Sequence, residues 1–283
     1  MTNQNQHPLL ESALAFRALH VPGRPLVLPN AWDAVSAAVV EEAGAAAVAT
    51  TSAGLAWALG AADGDRLERE RALEAVGRIA RTVRVPVTAD IESGYAADAA
   101  GVADTVRAVL AAGAVGVNIE DARHTRHEEG GEPLRPVAEQ AERIAAARAA
   151  ADAAGVPLYV NARIDTFLRG DGGVDHTLER AAAYLAAGAD GIFVPGTVDP
   201  GTVKALVAGV DAPLNVLVGP GAPPVAELAA LGVARISAGS AIAQAAHALV
   251  RRAARELLEE GTYGELADAS FDHGALNRLL TRA

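Results

Sequence analysis

The 283-residue chain contains no cysteine. Disulfides, thiolate nucleophiles and cysteine-ligated zinc or iron–sulfur centres are thereby excluded. It has one lysine, Lys204, whose setting in "DPGTVKALV" reads as an exposed helix. Schiff-base chemistry, which needs a desolvated amine, is therefore not expected. No stretch approaches the ~18 to 20 uninterrupted apolar residues that cross a bilayer. The first residues, "MTNQNQHPLL", lack the basic and apolar regions of a secretion signal. A soluble, cytoplasmic protein is the expectation. Basic residues are also scarce, 24 against 35 acidic ones, and the formal charge of −11 repels phosphate backbones and anionic lipid at long range. Neither nucleic acid nor membrane is an expected partner.

What the chain does have is a recurrence of short Val-, Ile- and Leu-rich runs with helical segments between them, the pattern of parallel strands joined by crossover helices. Eight runs qualify: Leu26 to Asn30, Ala45 to Ser52, Val85 to Ile91, Ala114 to Asp121, Val156 to Asp165, Ala189 to Gly196, Ala212 to Val218 and Ala234 to Gly239. The phrases "EEAGAAAV", "LAAGAVGV", "ADAAGVPL" and "LAAGADGI" each put Gly near the end of an Ala-rich helix, a helix-stop signal before the next strand. Eight such units predict a closed (β/α)8 barrel of the TIM type. An open doubly wound sheet is disfavoured, since no strand is followed by GxGxxG. The expected organisation is one domain over 1–283, with the barrel at about 24–240 and a C-terminal helical extension at about 240–283. The polar loop "ARHTRHEEGGEPLRP" from Ala122 to Pro136 is a candidate lid, and the surplus terminal helix is a candidate oligomer contact.

In such a barrel the chemistry gathers at the C-terminal ends of the strands. Polar residues stand there: Asn30, Thr51, Ser52, Asp90, Glu92, Asn118, Glu120, Asp121, Asn161, Arg163, Asp165, Asn215 and Ser237. Residues two apart on a strand share a face. Asp90 with Glu92, Asn118 with Glu120, and Asn161 with Arg163 and Asp165 can thus each project as a set. Converging carboxylates repel and raise one another's pKa values. A divalent cation relieves that, and oxygen-only donors favour Mg²⁺ or Mn²⁺ over zinc. For Asp121 and Asp165 a structural pairing is the favoured reading. Arg163 offers a guanidinium fork to an anionic substrate, or else pairs with Glu120 or Asp165. In "HTRHE", His124 and His127 do not have the HExxH spacing of a zinc site, so a solvated histidine is the default and an acid–base role for His124 the alternative.

The phrases "LPNAWDAVSA", "ATTSAGLAWALGAADG", "PVTADIESGYA", "GVNIEDA", "NARIDTF" and "NVLVGPGAP", covering Pro29 to Ala222, resemble in order and spacing the isocitrate lyase and phosphoenolpyruvate mutase superfamily. The resemblance implies an α/β barrel whose last helix is exchanged with a neighbouring subunit in a dimer of dimers. It also implies Mg²⁺ or Mn²⁺ and a 2-oxo or 2-hydroxy carboxylate that passes through an enolate. By similarity, Asp90 is the direct metal ligand, and Asp63, Glu92 and Glu120 hold the metal's waters. Thr51, Ser52 and Arg163 bind the substrate's anionic groups; Asn215 is a further substrate-binding candidate, and Arg163, Glu120 and His124 are the catalytic candidates.

Three departures bear on the reaction. Family lyases acting on isocitrate or methylisocitrate carry a Lys-Lys-Cys-Gly-His loop with a cysteine proton donor, and this chain has no cysteine. Phosphonate-handling members place a histidine after the sixth strand, where Pro195 stands here. The usual second Asp of the metal motif is Glu92. The expected activity is cleavage of a C–C bond beside a 2-oxo or 2-hydroxy carboxylate, on oxaloacetate-like or methylisocitrate-like acids. The alternatives are C–P chemistry on phosphonopyruvate, or a 2-oxo acid binding protein that has lost turnover.

Overall fold

A computed structural model of the chain describes residues 6–124, 132–267 and 271–281. Nine short strands form one sheet: β1 (Leu26–Leu28), β2 (Asn30–Ala31), β3 (Val48–Thr50), β4 (Val87–Asp90), β5 (Gly116–Glu120), β6 (Tyr159–Arg163), β7 (Gly191–Val194), β8 (Leu214–Leu217) and β9 (Arg235–Ser237). The order is β1-β9-β8-β7-β6-β5-β4-β3-β2, and all neighbours are parallel. All eight predicted runs contain strand. The ninth strand arises because the first run is split at Pro29, which has no N–H to give to a ladder.

That split decides how the ring closes. β1 bonds to β9 and β2 to β3, so the two halves of one strand occupy the two ends of the sheet. Asn30 spans the break: its Oδ1 accepts from the Ala238 and Gly239 N–H groups (3.0 and 2.8 Å), and its Nδ2 donates to the Thr50 carbonyl (2.9 Å). The result is a nearly closed TIM-type barrel with helices outside.

Most strand positions are buried on both faces, as parallel strands covered by helices require; β5 is buried along its whole length. The helices turn an apolar stripe inward. In Arg69–Thr82 that stripe is Ala72, Val76, Gly77 and Ile79, at the three- and four-residue spacing of a helix face. Asp33, Asp98 and Asp199 cap their helices by accepting from backbone N–H groups three residues on. The helix-stop glycines act as expected: Gly113 and Gly188 take φ of +97° and +103°, which a side chain resists. The helix Gln6–Ala18 presses Phe16 against Gly116 at the start of β5, where a Cβ would lie 2.7 Å from the ring, and so stoppers the amino-terminal mouth.

The helix Ala241–Arg255 buries only Ala243 in this single chain. Beyond it, Leu257, Leu258, Tyr263, Leu266 and Phe271 are exposed, Leu258 at 84 %. Among the described residues no helix is long and apolar enough to cross a membrane.

Candidate active site

The carboxyl-terminal ends of β4, β5 and β6 place Asp90, Glu120 and Arg163 side by side. Register aligns Asp90 with Asn118, Asn118 with Asn161, and Glu120 with Arg163. The last pair becomes an ion pair: Arg163 Nη1 lies 2.5 Å from Glu120 Oε2. The same guanidinium grips Asp165 with Nε and Nη2, at 2.6 and 2.8 Å. Three of its five N–H bonds are thus taken by the protein's own acids. Burial opposes the charge of Arg163, but Glu120 and Asp165 overcome this and hold its pKa above the ordinary value.

Thr51, Ser52, Asp63, Asp90, Asn118 and Arg163 share the wall of one cavity of ≈ 200 Å³. The Ser52 N–H donates to Asp90 Oδ2 (3.2 Å), and the Asp90 N–H donates to Thr50 Oγ1 (2.9 Å). Glu92 and Glu120 do not line this cavity; both are buried behind it. Asn215 does not line it either. Its Oδ1 accepts from Ser237 Oγ (3.2 Å), and its Nδ2 is buried without a partner.

The acids are held in a dry, crowded setting. Burial, followed by the charges of Asp65, Asp90 and Asp63, pushes the Glu92 carboxyl up to about 8 against one hydrogen bond from the Asp65 N–H. Burial and then the charge of Asp90 raise Asp63. Burial also raises Glu120, against the pull of Arg163 and His124. Such a cluster, with oxygen donors and no neutralising lysine, fits a hard divalent cation. Asp65, Glu92 and His124 also each offer an atom within 4.8 Å of the others. Asp65 was not singled out by sequence reasoning. Its signal was its position two residues after Asp63 in "AADGDR".

The backbone that carries these groups is strained. Asp65, Glu92 and Tyr95 have φ of 54°, 50° and 50°, a region that side-chain-bearing residues avoid at a cost of roughly 1–2 kcal/mol each. Gly94, at φ +99°, turns between them, and a Cβ there would meet Val102 at 2.9 Å. The buried Arg143 secures this loop from outside, donating from Nη2 to the Ser93 and Ala96 carbonyls (2.5 and 2.9 Å). Sequence reasoning missed Arg143, because an arginine in an Ala-rich helix carries no local signal of burial.

His124 stands over the site. Its Nε2 contacts Glu120 Oε1, and its Nδ1 lies 3.4 Å from Arg169 Nη2. Burial opposes its charge, but the hydrogen bond and charge of Glu120 win, so its pKa is raised. With Asp65, Arg66, Tyr95 and Arg135 it lines a second, outer cavity of ≈ 680 Å³. The loop that carries it is zipped at its base: Arg123 N–H donates to the Pro133 carbonyl (3.0 Å) and Arg135 N–H to the Asp121 carbonyl (2.8 Å). The rest of the candidate lid, residues 125–131 with His127, lies outside the described residues. Asp121 is buried and points away from the cavity, accepting from Arg180 Nη1 (3.1 Å), Tyr184 Oη (3.0 Å) and the Asp165 N–H (3.0 Å).

The family model described as phosphoenolpyruvate phosphomutase matches residues 16–258. The chain belongs to this family. An uncharacterized protein of Mycobacterium tuberculosis (strain CDC 1551 / Oshkosh) is 37% identical over 228 residues, covering 80% of this chain and 82% of that protein. The 2-methylisocitrate lyase of Escherichia coli (strain K12) is 32% identical over 184 residues, covering 63% of this chain and 60% of the lyase. Among solved structures, a phosphonopyruvate hydrolase complexed with oxalate and Mg²⁺ superposes with a TM-score of 0.82 at 28% identity, covering 96% of this chain and 95% of the other. The family thus holds enzymes of both C–C and C–P chemistry on small carboxylates.

Proposed function

We propose that the protein is a Mg²⁺- or Mn²⁺-dependent enzyme that cleaves a C–C bond adjacent to a 2-oxo or 2-hydroxy carboxylate, leaving the electron pair of the broken bond as an enolate. The observation that carries this reading is the convergence of Asp63, Asp90 and Arg163 on one small cavity, backed by Glu92 and Glu120, in a chain without cysteine. Asp90 would hold the cation directly, and Asp63, Glu92 and Glu120 would hold its waters, with Asp65 beside them. When bound, the ion supplies Lewis acidity at the oxygen on which charge develops.

The chain's own groups supply the rest. Arg163 has two N–H bonds beyond its carboxylate partners, enough to orient a substrate carboxylate. Thr51 and Ser52 face the same space from the opposite wall. His124, kept basic by Glu120, is the group placed to return a proton to the carbanion carbon in place of a cysteine. A cavity of ≈ 200 Å³ is below the about 300–1,000 Å³ of drug-sized sites, so short acids of about three to five carbons are favoured. The exposed apolar residues after Ala241 support a homo-oligomer joined through the terminal helix; the reading adds exchange of that helix in a dimer of dimers and action in the cytoplasm on a free small acid.

The test is to assay the purified protein with Mg²⁺ against oxaloacetate-, malate- and methylisocitrate-like acids. Turnover to a shorter 2-oxo acid, an aldehyde acid or oxalate is the expected result. Inactivity across the panel, with ligands still bound, would leave a 2-oxo acid binding protein. Release of phosphate from phosphonopyruvate would instead favour the C–P reading, which the similarity to the hydrolase supports and Pro195 in the place of a histidine opposes.

A further inference from the structure

Beneath the cavity lies a second polar layer, one step down the strands. Arg235 opens β9, is 1 % exposed, and projects into the barrel, its Cζ lying 6.0 Å from the Phe16 ring centroid. Among the described residues no carboxylate pairs with it, and its Nε and Nη1 are buried without partners. Its one hydrogen bond runs from Nη2 to Asn118 Oδ1 (3.1 Å). Asn161 Nδ2 donates to that same oxygen (2.9 Å).

A guanidinium can only donate, so Arg235 permits Asn118 a single amide orientation, with oxygen down and nitrogen up. Asn118 also lines the cavity, next to Asp90 in register. Its Nδ2 has no protein partner among the described residues, so the N–H₂ group is the part left to face the cavity. A donor among carboxylates prefers an anionic oxygen. Burial lowers the pKa of Arg235 to about 10, against the opposing charge of Asp90, which leaves it charged at neutral pH.

We propose that Arg235 is a positioning residue and Asn118 the specificity residue it sets: together they fix an N–H donor in the cavity floor that reads an anionic oxygen of the bound acid. This rests on the reading of the cavity as an acid-binding site. It goes further by naming which group selects the anion and what holds that group.

The test is calorimetry of oxalate binding at saturating Mg²⁺, with melting temperatures recorded in parallel. Asn118→Ala should weaken oxalate about 10- to 100-fold, the range for hydrogen bonds to charged groups, with Mg²⁺ affinity unchanged. Arg235→Met should weaken oxalate about fivefold or more while raising the melting temperature, because a buried unpaired charge is removed. Arg235→Lys should restore part of the affinity. In the Asn118→Ala background, Arg235→Met should cost nothing further, because the two act through one hydrogen bond. Should Arg235→Met not fold, Asn118→Asp keeps the bond to Arg235 but offers only oxygen to the cavity, and should lose at least tenfold. Wild-type affinity in either Asn118 variant, or equal losses from Arg235→Met in both backgrounds, overturns the proposal while the functional reading stands. Failure of the unaltered protein to bind oxalate with Mg²⁺ overturns both.

Discussion

The two ends of the barrel interior face the same electrostatic problem with opposite signs. At the carboxyl-terminal end, buried acids crowd one another, and Glu92 is pushed up to about 8. At the amino-terminal end buried bases do so. His20 stacks on Tyr159 with ring centroids 3.8 Å apart, and burial, then the charge of Arg235, drives it down to about 3. Low dielectric penalises whichever form is charged, so acids rise and bases fall. The difference lies in the relief. The lower end relieves part of its problem internally, by leaving His20 neutral beside a charged Arg235, whereas the upper end gathers several acids. A site is where the fold declines to settle its own charges.

The largest expected effect comes from neutralising one of those acids. Asp90→Asn should lower turnover by about 10³-fold with the fold intact, comparable to losing a principal electrostatic group at other active sites; steady-state kinetics with varied Mg²⁺ check it. Next is the arginine that already pairs with two of the upper end's acids. Arg163→Met strands Glu120 and Asp165 in the interior and should destabilise by about 3–5 kcal/mol, read from urea denaturation. Arg235→Met, at the other end, should have the opposite sign.

The lower end has its own signature in pH. Because His20 is depressed in the folded state, the unfolded chain binds its proton more tightly, and stability rises with pH between about 3 and 6.5. At pH 5 this amounts to roughly 2 kcal/mol relative to neutral pH. Denaturation curves of His20→Asn should lose that part of the slope; an unchanged slope would place the titration elsewhere. The smallest effect belongs to neither end. Leu258→Asp, at a site 84 % exposed, should change single-chain stability by less than about 0.5 kcal/mol, while light scattering shows a smaller assembly if that surface joins subunits.

The barrel was legible because it is periodic. Each strand run and each helix-stop glycine is a local signal, and the eight runs needed only to be counted. The split at Pro29 was also written locally, though its consequence, that Asn30 bridges β3 and the segment after β9, depends on ring closure. Asp90, Glu92 and Glu120 stood out because acids are unexpected at the ends of apolar strands. Asp65, Arg143, Arg169 and Arg235 did not, since each meets the site across tens of residues of chain.

The sequence alone therefore determined the eight strand-bearing runs and the absence of a cysteine acid. These follow from residue type and period, which need no third dimension. Only the tertiary structure decided that Arg163 is already gripped by two acids, that Asn215 turns to Ser237 rather than lining the cavity, and that His124 leans on Glu120. It also decided that a buried arginine lies under Asn118. The reason is physical: hydrogen-bond valence and desolvation depend on which groups are left without partners once the ring has closed, and no local pattern records that.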